Sequence, residues 1–140
     1  MPLARPVVLV LDDDRATRDL VQEILEEQGY TVESAASGAS GLARLESGGI
    51  DLVVLDRTLP DRDGLDVCRW VRAREDSDRA HLPIIMVSAS VPAGEETMEP
   101  GPGADAYVAK PFDIDALVAQ VRSSLGTPPP DQAPAPTAPR

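Results

Sequence analysis

The chain has 140 residues, which suits one folded domain, and its hydrophobic content of 42% excludes global disorder. It carries 24 Asp and Glu against 13 Lys and Arg, for a formal net charge of -11, which argues against direct binding to nucleic acid or to an anionic membrane surface. Cys68 is the only cysteine, which excludes an internal disulfide, and no apolar run approaches the ~18 residues of a membrane span, so we expect a cytoplasmic protein.

Short apolar runs alternate along the chain with segments of helical periodicity. Strands are predicted at residues 7–11, 31–35, 51–56, 84–88 and 105–109. The second strand is the most polar, which is typical of a sheet edge. The first predicted helix carries Leu20, Val21, Ile24 and Leu25 and ends at Gly29; the others cover residues 39–46, residues 65–74 with Cys68 as a core residue, and a segment after Asp113. This alternation indicates an α/β fold, with a doubly wound parallel sheet of five strands.

Two segments depart from this alternation. Between the fourth and fifth strands, residues 100–103 are Pro, Gly, Pro and Gly, which cannot continue a helix. We therefore expect a shortened fourth helix of one or two turns, at about residues 93–99. Residues 127–140 contain six prolines and little apolar bulk. They are predicted to form a disordered tail or linker after a folded domain of residues 1–126.

Polar side chains stand at the ends of four predicted strands. Asp12 and Asp13 follow the first strand, Asp56 ends the third, Ser88 ends the fourth and Lys110 follows the fifth. The carboxyl ends of parallel strands meet at one edge of a sheet, where ligands bind in such folds. Clustered carboxylates repel one another and are hard oxygen ligands suited to Mg²⁺. Because a carboxylate beside a metal and a cation can accept a phosphoryl group, the pattern predicts a site for a divalent metal and a phosphoryl group.

The chain resembles the receiver domain of bacterial two-component response regulators, over about residues 7–125. Five motifs carry the resemblance, in the order and spacing of that family: Asp12-Asp13, Leu55-Asp56, Leu59-Pro60 followed by Asp63-Gly64, Ser88-Ala89, and Lys110-Pro111-Phe112. The resemblance implies a chemotaxis-regulator-like, flavodoxin-like (βα)5 fold with strand order 2-1-3-4-5.

The resemblance also implies roles for individual residues. Asp56 would be the phosphoacceptor, taking a phosphoryl group from a histidine kinase or a histidine phosphotransfer protein. Mg²⁺, with Mn²⁺ as a substitute, would be held by Asp13, Asp56 and the backbone carbonyl of Thr58, with Asp12 acting through water. The other implied positions are Ser88 and Lys110 at the phosphoryl group, Ala89 beside it, Tyr107 as the aromatic switch, and Pro111 after a cis bond.

The implied protein signals to an unidentified downstream protein, as a monomer or a weak phosphorylation-dependent dimer. It would catalyse only its own phosphorylation and dephosphorylation. Two alternatives stay open: a receiver-like binding module that is switched without phosphorylation, and a metal-dependent phosphatase with an aspartyl-phosphate intermediate. The phosphatase family has a second acid two residues after its nucleophile, where this chain has Thr58. The start at Met1 and the lack of an effector segment favour a stand-alone regulator over an excised receiver.

Overall fold

Five short strands, each formed by an apolar run of the sequence, lie at the centre of the protein in this computed structural model. The strands are β1 (Val7–Leu11), β2 (Thr31–Ala35), β3 (Leu52–Asp56), β4 (Ile84–Ser88) and β5 (Ala106–Ala109). The helices are α1 (Arg15–Glu27), α2 (Gly38–Glu46), α3 (Gly64–Arg74) and α4 (Ile114–Leu125). The structure describes residues 5–74, 81–88, 104–109 and 114–125. The short fourth helix predicted at residues 93–99 and the tail predicted at residues 127–140 lie outside these ranges.

The strands form a single sheet in the order β2-β1-β3-β4-β5, and every neighbouring pair is parallel. This confirms the predicted doubly wound α/β fold and its strand order. The chain leaves β1 toward β2 on one side and later places β3 on the other, so the strand order reverses between β1 and β3. Ligands bind in such folds beyond the carboxyl ends of the strands that flank this reversal. The residues that follow β1 and that end β3 are therefore the expected location of a ligand site.

Both faces of the sheet are covered by helices. Consecutive strand residues point to opposite faces, so β1 supplies Val8 and Val10 to one apolar core and Leu9 and Leu11 to the other. Helices α1 and α4 pack on the first core and α3 on the second, against which leucines of α2 also pack. Burial on both faces explains why the central strands are apolar without alternation. None of the helices in the described ranges is long and apolar enough to span a membrane.

Strands β3 and β5 begin one residue later than predicted, and for β5 the reason is visible at Asp105. This residue lies just ahead of β5, where its carboxylate accepts the backbone N–H of Ile84 at 2.8 Å. It also contacts Arg72 at 2.9 Å and His81 at 2.7 Å. Burial alone would raise the pKa of Asp105, but the hydrogen bonds from Ile84 and His81 and the nearby Arg72 bring it below its ordinary value. Asp105 thus joins α3 to the starts of β4 and β5.

Cys68 is fully buried between α3 and the sheet, as predicted for a core residue. Burial raises the pKa of its thiol from 9.0 to about 11, which reduces the thiolate fraction near neutral pH about a hundredfold. We expect the native protein to react with Ellman's reagent at least about a hundredfold more slowly than the urea-unfolded protein. The absorbance of the released thiolate measures both rates. Native and unfolded rates within tenfold of each other would contradict this prediction.

Candidate metal and phosphoryl site

Carboxylates from β1 and β3 meet at the carboxyl edge of the sheet. One carboxylate oxygen from each of Asp12, Asp13 and Asp56 lies within 4.8 Å of the other two. The two strands are neighbours, with Leu11 paired to Leu55, so the residues that follow lie side by side. Asp12 is 3% exposed and Asp56 is 6% exposed, whereas Asp13 is exposed to solvent. The structure therefore brings together the three acids that the sequence pattern predicts in one site, two of them buried.

The backbone that follows each buried carboxylate holds it in place. Oδ1 of Asp12 accepts the N–H of Asp14 at 2.9 Å, and Oδ1 of Asp56 accepts the N–H of Thr58 at 3.1 Å. Both hydrogen bonds span two residues, the pattern of a turn closed by an aspartate side chain. The donors offset part of the negative charge and orient the two carboxylates. Thr58 is predicted to bind the metal through its backbone carbonyl, and its N–H donates to Asp56.

Arg18 is a cation beside this site that none of the sequence motifs identifies. Its Nη1 donates to the backbone carbonyl of Asp12 at 2.8 Å. Helix α1 begins after Asp14, whose side chain accepts the N–H of Thr17 at 3.0 Å. Arg18 is one turn further along, and side chains in a helix lean toward its N-terminus, which brings the guanidinium back over the strand end. A search for basic residues four positions after the predicted N-cap would have found it.

The loop of residues 57–63, named here the β3–α3 loop, carries Thr58 from β3 toward α3. It closes where the N–H of Gly64 donates to the carbonyl of Arg57 at 2.6 Å. A Cβ placed on Gly64 would lie 2.6 Å from the backbone oxygen of Asp56, far inside van der Waals contact. Only glycine permits this approach, so the Asp-Gly motif at residues 63–64 has a steric reason.

The other predicted site residues come from β4 and β5. Ser88 ends β4 and is 3% exposed. Asp56 pairs with Val87, the residue before Ser88, so β4 brings the hydroxyl to the edge that holds the carboxylates. Tyr107 lies opposite Met86 and packs, half-buried, against the core beneath α2 and α3. Three predicted residues lie outside the described ranges: Ala89, Lys110 and Pro111.

The donor set fits a hard divalent cation. Its three side chains are all carboxylates, without the sulfur or nitrogen ligands that softer metals prefer. Within the described ranges no other group of three or more potential metal ligands comes together. Mg²⁺ takes oxygen ligands from one or two carboxylates and completes its shell with water and phosphate oxygens, which suits a site with two buried carboxylates and one exposed one.

Known proteins are similar to this chain in sequence, and solved structures are similar to it in fold. The family model for the response regulator receiver domain matches residues 8–122. The response regulator MprA of Mycobacterium sp. (strain KMS) is 39% identical over 127 residues, which are 91% of this chain and 54% of that protein. The DNA-binding dual master transcriptional regulator RpaA of Synechocystis sp. is 39% identical over 120 residues, which are 86% of this chain and 49% of that protein. The chain thus spans about half the length of these relatives.

A solved structure agrees with this sequence match. The CheY-like response regulator receiver domain protein from Methanospirillum hungatei JF-1 has a TM-score of 0.75 and 31% sequence identity, and the match covers 87% of this chain and 94% of that chain. The matched family segment contains all three clustered carboxylates and nearly all of the five-stranded sheet. On sequence and on architecture, the chain belongs to the family of response regulator receiver domains.

Proposed function

We propose that this protein is a phosphorylation-controlled switch whose phosphoacceptor is Asp56. A histidine kinase or a histidine phosphotransfer protein would supply the phosphoryl group in a Mg²⁺-dependent reaction, and the phosphorylated domain would signal to a downstream protein. The observation that carries this proposal is the approach of three carboxylates to within 4.8 Å at the edge where strand order reverses. Family membership supports it, because the motifs at this edge are those by which the chain resembles receiver domains.

The chain's own residues divide the chemistry among them. Asp13, Asp56 and the carbonyl of Thr58 would hold Mg²⁺, with Asp12 acting through water. The ion when bound would supply positive charge against the carboxylates and the phosphoryl oxygens. A carboxylate oxygen of Asp56 forms a bond to phosphorus while the bond between phosphorus and the donor breaks. The Thr58 N–H keeps the Asp56 carboxylate oriented for this attack. The 6% exposure of Asp56 limits the access of water to the acyl phosphate.

The remaining roles follow from the resemblance. Ser88 would donate a hydrogen bond to the phosphoryl group from the end of β4, with Ala89 leaving access beside it. Lys110 would pair with the phosphoryl oxygens, ahead of a cis bond to Pro111, and Tyr107 would respond as the aromatic switch. The half-buried position of Tyr107 supports this role, because such a ring can gain burial when its neighbours move.

The proposed domain occupies residues 1–126 and acts in the cytoplasm, as a monomer or a weak phosphorylation-dependent dimer. Its net charge of -11 supports a protein partner and not direct DNA binding by this chain. The chain spans about half of MprA and RpaA, so the proposed function is limited to the receiver domain and does not include the regulatory activity of those relatives. It modifies itself and does not turn over a separate substrate.

Incubation with acetyl phosphate and Mg²⁺ should add one phosphoryl group to the native protein, measured as a single mass increment in intact-protein mass spectrometry. Chelation with EDTA should prevent the increment, since the carboxylates would then repel the incoming phosphoryl oxygens. A phosphatase would instead hydrolyse a small phosphate ester over many turnovers without accumulating the adduct. Folded protein that gains no mass would contradict the proposal and favour a binding module switched without phosphorylation.

A further inference from the structure

The N-terminus of α2 is bound by a side chain from the β3–α3 loop. Oδ1 of Asp61 accepts the N–H of Gly38 at 2.8 Å, and Oδ2 accepts the N–H of Ala39 at 2.9 Å. These two hydrogen bonds hold the pKa of Asp61 below its ordinary value, because they stabilise the charged carboxylate. The negative charge also lies at the positive end of the helix dipole. Both oxygens of one loop carboxylate are therefore engaged by α2.

Local capping of α2 is supplied separately by Ser37. Its Oγ accepts the N–H of Ser40 at 3.2 Å, and its carbonyl accepts the N–H of Gly41 at 3.0 Å. The first N–H groups of a helix have no carbonyl partner within the helix. Here the Asp61 carboxylate accepts those of Gly38 and Ala39, and the Ser37 side chain accepts that of Ser40. Ser37 does so from within its own segment, whereas Asp61 does so across the fold. The contact of Asp61 therefore ties α2 to another part of the protein, which the contact of Ser37 does not.

Other residues of the β3–α3 loop also contact the rest of the protein, so the position of the loop tip is linked to that of the loop base. Arg62 crosses the first turn of α2, where a Cβ on Gly38 would lie 2.6 Å from its Cδ. Leu59 is 7% exposed and belongs to the core beneath α2 and α3. Thr58 pairs with Asp63 in an antiparallel bridge at the base. The contacts of Asp61 and Arg62 with α2 add to these constraints.

We propose that Asp61 is a positioning residue that fastens the β3–α3 loop to α2 and thereby couples Mg²⁺ binding to the N-terminus of α2. This inference rests on the proposed function, since the site it serves is the one that contains Asp56 and Thr58. Thr58 lies three residues before Asp61 in the same loop, and its N–H donates to Asp56. When the loop tip is released, the Thr58 backbone keeps its contacts with Asp56 and Asp63, but the loop loses one of its constraints. Binding of the metal must then restrict the loop further, which weakens affinity. By linkage, Mg²⁺ must in turn strengthen the contacts of Asp61 with α2.

Two variants that remove different caps of the same helix test this role. Asp61→Ala releases the loop from α2, whereas Ser37→Ala weakens the helix start and leaves the loop attached. Mg²⁺ titration by isothermal calorimetry should show affinity reduced on the order of tenfold in Asp61→Ala and unchanged within about twofold in Ser37→Ala. Asp61→Asn keeps one acceptor and should give an intermediate affinity, and it serves as the test variant should the alanine variant fail to fold. Equal losses of Mg²⁺ affinity in the Asp61 and Ser37 variants would show that Asp61 acts only as a helix cap, and this result would overturn the inference.

Hydrogen exchange at the amides of Gly38 and Ala39 gives a second readout that requires no phosphorylation. In the wild type, Mg²⁺ should slow exchange at both amides, and in Asp61→Ala exchange should be faster and insensitive to Mg²⁺. Wild-type protein that binds no Mg²⁺ would overturn the proposed function and this inference with it. Wild-type protein that binds Mg²⁺, together with an Asp61→Ala variant of equal affinity, would overturn the positioning role alone.

Discussion

Replacing Asp56 with asparagine should abolish phosphorylation by acetyl phosphate and leave the fold intact. The amide keeps the shape of the carboxylate and an oxygen that can accept the N–H of Thr58, but it is not a nucleophile. It also removes one of three negative charges that lie within 4.8 Å, so repulsion in the folded protein falls. Intact-protein mass spectrometry should show a loss of at least about a hundredfold in the rate of labelling. Circular dichroism should show unchanged thermal unfolding or a higher midpoint.

A matched substitution separates this effect from a general loss of acidic charge. Asp19→Asn changes an exposed aspartate on α1 by the same chemistry, at a side chain that is 67% exposed and paired only loosely with Arg15 at 3.7 Å. We expect this variant to be labelled as fast as the wild type. Undiminished labelling of Asp56→Asn would show that another residue accepts the phosphoryl group, and peptide mapping of the adduct would then identify it.

Replacing Gly64 with alanine should destabilise the protein by about 2–3 kcal/mol and slow its phosphorylation. The added Cβ would lie 2.6 Å from the carbonyl oxygen of Asp56 and 2.9 Å from Cα of Arg57. Both are backbone atoms, so neither can rotate away, and either α3 or the end of β3 must move. Movement of β3 displaces the Asp56 carboxylate, which is why labelling should slow as well. Urea unfolding followed by the fluorescence of Trp70, the only tryptophan, measures the change in free energy of unfolding.

Gly48→Ala provides the matched control. Gly48 has a positive φ of 83° and nothing within 4 Å of the position that a Cβ would take, so alanine there meets backbone strain without a steric clash. The expected loss is about 1 kcal/mol, because the left-handed conformation costs about 1–2 kcal/mol and the stiffer unfolded chain returns part of it. Gly48 precedes β3 at the end away from Asp56, so labelling should keep its wild-type rate. Equal effects of the two substitutions on stability and on labelling would contradict the steric account of Gly64.

Apolar periodicity was sufficient to predict the fold class and most element boundaries. A strand that is buried on both faces of a parallel sheet must be apolar throughout, and β1, β3 and β4 carry that pattern visibly in their sequences. The same logic predicted that Asp12, Asp13 and Asp56 lie together, because parallel strands present their carboxyl ends at one edge. The predicted starts of β3 and β5 were one residue too early. Asp105, for example, lies just ahead of β5 and accepts the N–H of Ile84 at the start of β4, and the sequence alone does not distinguish such a residue from the first residue of a strand.

The contacts that hold the site depended on the folded chain. Asp61 binds Gly38 and Ala39 at separations of 23 and 22 residues, and no spacing in the sequence connects an aspartate in a loop to the start of an earlier helix. The adjacent Asp12 and Asp13 also differ sharply in burial, although their residue type is the same. Residue type and periodicity are local properties of the chain and therefore determine elements and their order. Hydrogen-bond partners and side-chain burial are set only when distant segments pack together. The contacts that hold the site in place therefore depend on the assembled sheet and helices.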